Sequence, residues 1–180
     1  MPQFHSLPFT ELPQRPGEEI PDRARIPGLL ATAVDPDRLC AVQALAARRL
    51  LDPDGEVYPA DGCAITLTLL MRGAGFEVHE LYWAIDVPAM LLSRGWREVP
   101  PGGQRAGDIG STCREGTHHG EDHVFLVVRC VNPDEMIVVD NQAAYPHFRW
   151  ASGQGGKTPT AMFYRAPEAP EAAGAPEALD

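Results

Sequence analysis

Leu39, Val42, Ala46 and Leu50 recur every three or four residues among polar neighbours, the spacing that gathers apolar side chains on one face of a helix. Asp35 or Asp37 can cap its start, and Pro53-Asp54-Gly55 breaks it. The run Cys63-Ala64-Ile65-Thr66-Leu67-Thr68-Leu69-Leu70-Met71 predicts a second, largely apolar helix that stops near Gly73 or Gly75. Asp86-Val87-Pro88 starts a third, with Met90, Leu91 and Leu92 inside it and Gly95 as the stop. The pattern then turns to strands. Short ones are expected at 97–99 and 108–109, and a longer apolar one at 124–130. Asn132-Pro133-Asp134 supplies a turn from which 136–140 returns antiparallel, and 148–150 and 161–165 follow. Helices first and an antiparallel sheet afterwards predict an α+β fold.

The segments on either side differ in kind. Residues 1–27, broken by Pro2, Pro8, Pro13, Pro16 and Pro21, are expected to form an extended arm, and 28–165 to form one domain. Residues 166–180 are an Ala/Pro/Glu stretch without core-forming residues and are expected to be disordered. An apolar fraction of 44% over 180 residues is enough for a single core. Charge narrows the partners: 25 acidic residues stand against 15 basic ones, for a formal net of -10, and Lys157 is the only lysine. That balance argues against nucleic acid and against an anionic membrane surface, and it suits a basic protein partner such as an immunity or regulatory protein. The N-terminal residues lack a continuous apolar signal region, and nothing approaches the roughly 20 apolar residues of a membrane span. A soluble cytoplasmic product is expected, with lysis or a specialised secretion system as routes of release.

Candidate chemistry starts from the cysteines. Cys40, Cys63, Cys113 and Cys130 show no CxxC pair and are too sparse for a disulfide scaffold. Cys40, on the apolar face of its helix, and Cys130, at a strand end, are expected to be buried small hydrophobes. Cys63 opens a helix, where the positive end of the dipole favours thiolate, and Cys113, in a Gly/Thr-rich loop, is its one rival. His123 opens the 124–130 strand and can serve as base and then acid for a thiol. A hairpin centred near 132–134 brings the end of its second strand opposite His123, so Asp140, Asn141 or Gln142 can orient the ring. Read alone, Cys63 is a core residue at a helix start and His123 a strand-edge histidine. Trp96 reads as core and Asp108 as a turn-stabilising carboxylate. His118 and His119 read as loop residues, although either becomes the base if the strand begins earlier. Cys113, His118, His119 and His123, with Glu115, Glu121 and Asp122 among them, would permit zinc, but their spacing matches no ordinary zinc pattern. No metal or other cofactor is therefore expected.

Several pieces occur together in order: Asp61-Gly62-Cys63; the Gly73-Ala74-Gly75-Phe76 helix exit; Leu92-Ser93-Arg94-Gly95-Trp96-Arg97-Glu98-Val99; Gly107-Asp108-Ile109; His123-Val124; and a closing Met162-Phe163-Tyr164-Arg165. Over roughly 39–165 this order resembles the papain-like cell-wall hydrolases of the NlpC and CHAP types. Gly62-Cys63-Ala64 stands where the NlpC type usually has Asp-Cys-Ser, and Phe125 replaces the family's Gly. The bacteriocin-processing peptidases also pair a helix-start Cys with His and Asp, but the Gly-Trp and Gly-Asp-Ile pieces favour the cell-wall group.

The resemblance implies a papain-like fold with Cys63 as nucleophile and His123 as general base. Asp140 is the first choice for the third member, with Asn141 second. CHAP-type enzymes have an Asn two residues after the carboxylate, and Gln142 occupies that position here. In NlpC-type relatives a Tyr upstream of the Cys lends its hydroxyl to the oxyanion site, a role open to Tyr58, which otherwise reads as a packing residue. The implied substrate is a peptide or peptidoglycan fragment, cut within the stem peptide or at the amide joining it to the glycan. Two other readings remain: a non-catalytic binder on the same fold, and an intracellular amidase or deamidase acting on a protein or small peptide.

Overall fold

In the computed structural model, which describes residues 20–54, 58–114 and 122–168, four helices come first in the chain and six strands follow. The helices are α1 (Asp22–Val34), α2 (Pro36–Asp54), α3 (Cys63–Gly73) and α4 (Asp86–Ser93). The strands are β1 (Arg97–Val99), β2 (Ile109–Ser111), β3 (Val124–Cys130), β4 (Glu135–Val139), β5 (His147–Trp150) and β6 (Met162–Arg165). They form one sheet in the order β1-β6-β2-β3-β4-β5, antiparallel throughout. The fold is α+β, as the patterning predicts.

Local chemistry explains the element ends. Asp35 caps α2, its Oδ1 accepting from the N–H groups of Asp37 and Arg38, which settles the choice between Asp35 and Asp37. Helices α3 and α4 leave in the same way. Gly75 and Gly95 take positive φ, and the next N–H, of Phe76 or Trp96, returns to Met71 O or Leu91 O. The two aromatic rings delivered by these exits meet in the core, 6.4 Å apart. Asn132 builds the β3–β4 turn, its Oδ1 accepting from Asp134 and Glu135.

Alternation along β3 divides the interior. Val124 and Leu126 face α1, α2 and α3, joining Leu29, Leu39, Leu67 and Leu70. Phe125 and Val127 face the other way, onto Val99, Met136, Val138 and Phe163. Phe125 fits because Gly110 lies opposite it, where a Cβ would stand 2.2 Å from the ring. The large side chain at position 125 is matched by a glycine on the next strand.

Three expectations are corrected. The segment read as an extended arm is helical from Asp22 even with Pro27 inside α1, because Asp22 is tied down by Arg94 and Trp96. Cys40 is exposed, since it lies one residue round the helix from buried Leu39. Cys130 is half-buried, its thiol donating to Gln104 O. Residues 1–19 and 169–180 lie outside the described residues. Trp96 is buried, and Asp108 pairs with Arg165 and accepts from the Arg105 N–H, both as expected. Among the described residues, no helix is long and apolar enough to cross a membrane.

Candidate active site

Helix α3 is buried along most of its length, and its first residue is Cys63. The turn before it is tight. Gly62 N–H bonds Pro59 O, Asp61 has φ +54°, and a Cβ on Gly62 would stand 2.8 Å from two Tyr58 ring carbons. Gly62 is thus required by the ring lying over it. At the first helical position the Cys63 N–H belongs to the turn that has no intrahelical acceptor. The sulfur itself faces the backbone N–H groups of Val124 and Ala64. Cys63 is therefore placed on the peptide that follows His123.

Thr112 brackets His123: its N–H donates to His123 O at 2.9 Å, and its Oγ1 accepts from the His123 N–H at 2.8 Å. The ring stacks on Phe125, 6.0 Å between centroids. Its Nε2 lies 2.8 Å from Asp140 Oδ2. The other carboxylate oxygen, Oδ1, faces His147 Nε2 at 3.0 Å and accepts from the Gln142 N–H at 2.7 Å. An ionised carboxylate only accepts, so Nε2 of His123 carries the hydrogen and Nδ1 of the neutral ring is the basic nitrogen. Gln43, from α2, donates to Asp140 O and Ala143 O and fixes the backbone behind the carboxylate.

Burial pushes the Cys63 thiol up to about 11, and the two N–H groups at the sulfur only partly offset it. Burial also lowers His123, outweighing the hydrogen bond and charge of Asp140. Burial would raise Asp140, but the hydrogen bonds from His123 and His147 hold it well below the usual carboxylate range. At rest the thiol and the imidazole are thus each neutral, the imidazole beside the Asp140 carboxylate. The expected thiolate does not form at rest, because Cys63 is 5% exposed and desolvation exceeds the helix-end effect.

The remaining site residues divide. Asp140 takes the third position. Asn141 instead donates through Nδ2 to Pro59 O, stapling the end of β4 to the turn before Cys63. Gln142 is corrected: its side chain is exposed and accepts from Lys157 Nζ, and only its backbone supports Asp140. The Tyr58 hydroxyl lies 3.5 Å from Thr66 Oγ1, one turn along α3 from Cys63, and feels the Asp140 charge. Cys113 packs against the same core cluster as Cys63, and its thiol faces the His123 backbone. His118, His119, Glu115 and Glu121 lie outside the described residues. Among the described residues no group of three His, Cys, Asp or Glu is placed to hold a metal ion.

His147 and Gln43 escaped the sequence reading. The signal for His147 was the second hairpin, whose register sets Val138 against His147, two residues from Asp140. Gln43 gave none, since a polar residue between Val42 and Ala46 reads as solvent-facing. Comparison of the chain with protein-family models, with curated proteins and with solved structures finds no match.

Proposed function

We propose that this protein is a papain-like cysteine hydrolase of amide bonds, acting on a peptidoglycan stem peptide or a related peptide. The observation that carries the reading is the His123–Asp140 hydrogen bond at 2.8 Å, beside a helix-start thiol directed at the Val124 N–H. His123 Nδ1 takes the Cys63 proton as Sγ attacks the amide carbonyl. The new C–S bond opens the carbonyl to an oxyanion, for which the Cys63 N–H is the nearest donor of the helix start. Such a donor contributes roughly 3 kcal/mol. Collapse breaks the C–N bond, and His123 returns the proton to the leaving amine. Water, deprotonated by His123, then attacks the thioester, the C–S bond breaks, and His123 returns that proton to the Cys63 sulfur. Asp140 holds the ring and stabilises the imidazolium that forms in each half-reaction.

The test is Cys63→Ala assayed with peptidoglycan and isolated stem peptides by mass spectrometry of the products. Complete loss of new amine termini with an unchanged circular-dichroism spectrum is expected. Wild-type-like cleavage by Cys63→Ala sinks the assignment. One observation favours a second reading, a non-catalytic binder on the same fold: the thiol is buried and protonated at rest. A wild-type protein that retains peptide fragments and cuts none of them supports that reading.

A further inference from the structure

Cys63 lies in the wall of a small pocket whose other lining residues are Asp61, Tyr82, Trp83, Ala84, Ile85 and Asp122. Two of these are carboxylates, and none of the described lining residues is basic. Asp122 is the residue immediately before His123, and its Oδ1 is sealed from water without a hydrogen-bond partner. An unpaired carboxylate oxygen in that position is costly, and a cation brought to it relieves the cost. Opposite in character are Trp83 and Ile85, 55% and 51% exposed, which offer an indole face and an aliphatic edge beside the acid. Large apolar side chains left open beside a nucleophile form a surface for a ligand, and indole favours cations.

Resting on the hydrolase reading above, we infer that this pocket is a substrate subsite for a cationic group on an apolar stem, an ammonium or guanidinium borne by the residue next to the scissile amide. The Asp122 carboxylate takes the charge. Trp83 and Ile85 cover the methylene stem, as such stems pack on apolar surface while the head keeps a polar partner. Asp61, on the same wall, adds a second negative charge next to the nucleophile turn. Because Asp122 and His123 are consecutive, the subsite and the base are held in fixed relation, and occupying one positions the amide for the other.

The test uses two peptide substrates that differ only in Lys or norleucine beside the cleaved bond, so that an ammonium is replaced by a methyl group. The expected preference in kcat/KM for Lys is roughly tenfold or more, and Asp122→Asn brings it close to one. A second arm needs no catalysis. In Cys113→Ser protein at fixed ionic strength, Cys63 is modified with an aminoethyl and with a methyl thiosulfonate, and each rate is read by peptide mapping. Wild type favours the cationic reagent, and Asp122→Asn lowers that ratio several-fold, with Trp83→Leu as the second variant if Asp122→Asn does not fold. An unchanged reagent ratio in the folded variant overturns the subsite whether or not any peptide is cut. A ratio that falls in a protein that cuts neither peptide keeps the cation site and sinks the hydrolase reading.

Discussion

At the scale of single residues the site is decided by desolvation. Cys63 begins a helix and faces two N–H groups, yet its thiol stands at about 11 because it is buried, and burial lowers His123 as well. In the proposed hydrolase, proton transfer therefore accompanies attack rather than preceding it. The sign follows directly. Alkylation of Cys63 by iodoacetamide tracks the thiolate fraction, so its rate should climb steadily with pH through neutrality toward about 11. A preformed thiolate–imidazolium pair would instead give a plateau from acidic pH. The acid limb of kcat/KM should lie below pH 6.5, since a lowered His123 stays neutral, and so basic, to lower pH. Peptide-mapped alkylation rates between pH 5 and 10 check the first point, and an acidic plateau contradicts it. Cys63 and His123 stand out in the sequence because each opens an apolar element. Their protonation does not, because burial depends on what the rest of the chain packs around them.

At the scale of elements, a β-bulge selects the third site residue. Strands β3 and β4 pair Cys130 with Met136 and Arg129 with Ile137, then shift so that Val127 meets Val138 and Leu126 meets Val139. Continued one step, the shifted register sets Asp140 across from Phe125, on the face that His123 shares. Without the bulge Asp140 would meet Leu126 on the helix side, and Asn141 would have taken its place. A one-residue slip exchanges faces, which is why the sequence leaves Asp140 and Asn141 open. No residue between Val127 and Arg129 marks the slip. The next hairpin adds His147, and here the geometry gives a prediction. Removing it in His147→Ala takes one of two imidazoles from Asp140, which raises the carboxyl toward its ordinary value and loosens the His123 ring. A fall in kcat of roughly ten- to a hundredfold with KM little changed is expected. The thermal midpoint should move little by comparison. Unchanged kcat, with its pH profile intact, would show that Asp140 is positioned without His147, by His123 and the Gln142 N–H.

At the scale of the molecule, the chain ties its first helix to the helix-to-sheet junction through one carboxylate. Asp22 is 7% exposed, with Arg94 Nε and Nη2 at 2.8 and 2.6 Å and Trp96 Nε1 at 2.7 Å. Its burial raises the carboxyl pKa, and the bonds to Arg94 and Trp96 more than reverse this, so the folded value is lowered. Stability from this group is thus present above its unfolded pKa, near 3.8, and lost as pH falls through the folded value. Prolines make 1–27 look like an arm, but Pro21 stands just before the helix, and the cost of Pro27 inside it is offset by a partner 72 residues away that no local pattern reveals. The domain therefore reaches back before residue 28. Asp22→Ala in the full chain leaves the Trp96 N–H without its acceptor and takes two bonds from the Arg94 guanidinium, which keeps Glu77 O, and it should cost roughly 3 kcal/mol in urea unfolding at pH 7. The difference from wild type should shrink as pH drops below 4, where the wild-type carboxylate is protonated. A chain beginning at residue 28 should lose more, because Ile26, packed against the main core and against Gly107, goes too. Equal stability of wild type and Asp22→Ala at pH 7 would mean that α1 is held by its apolar face alone.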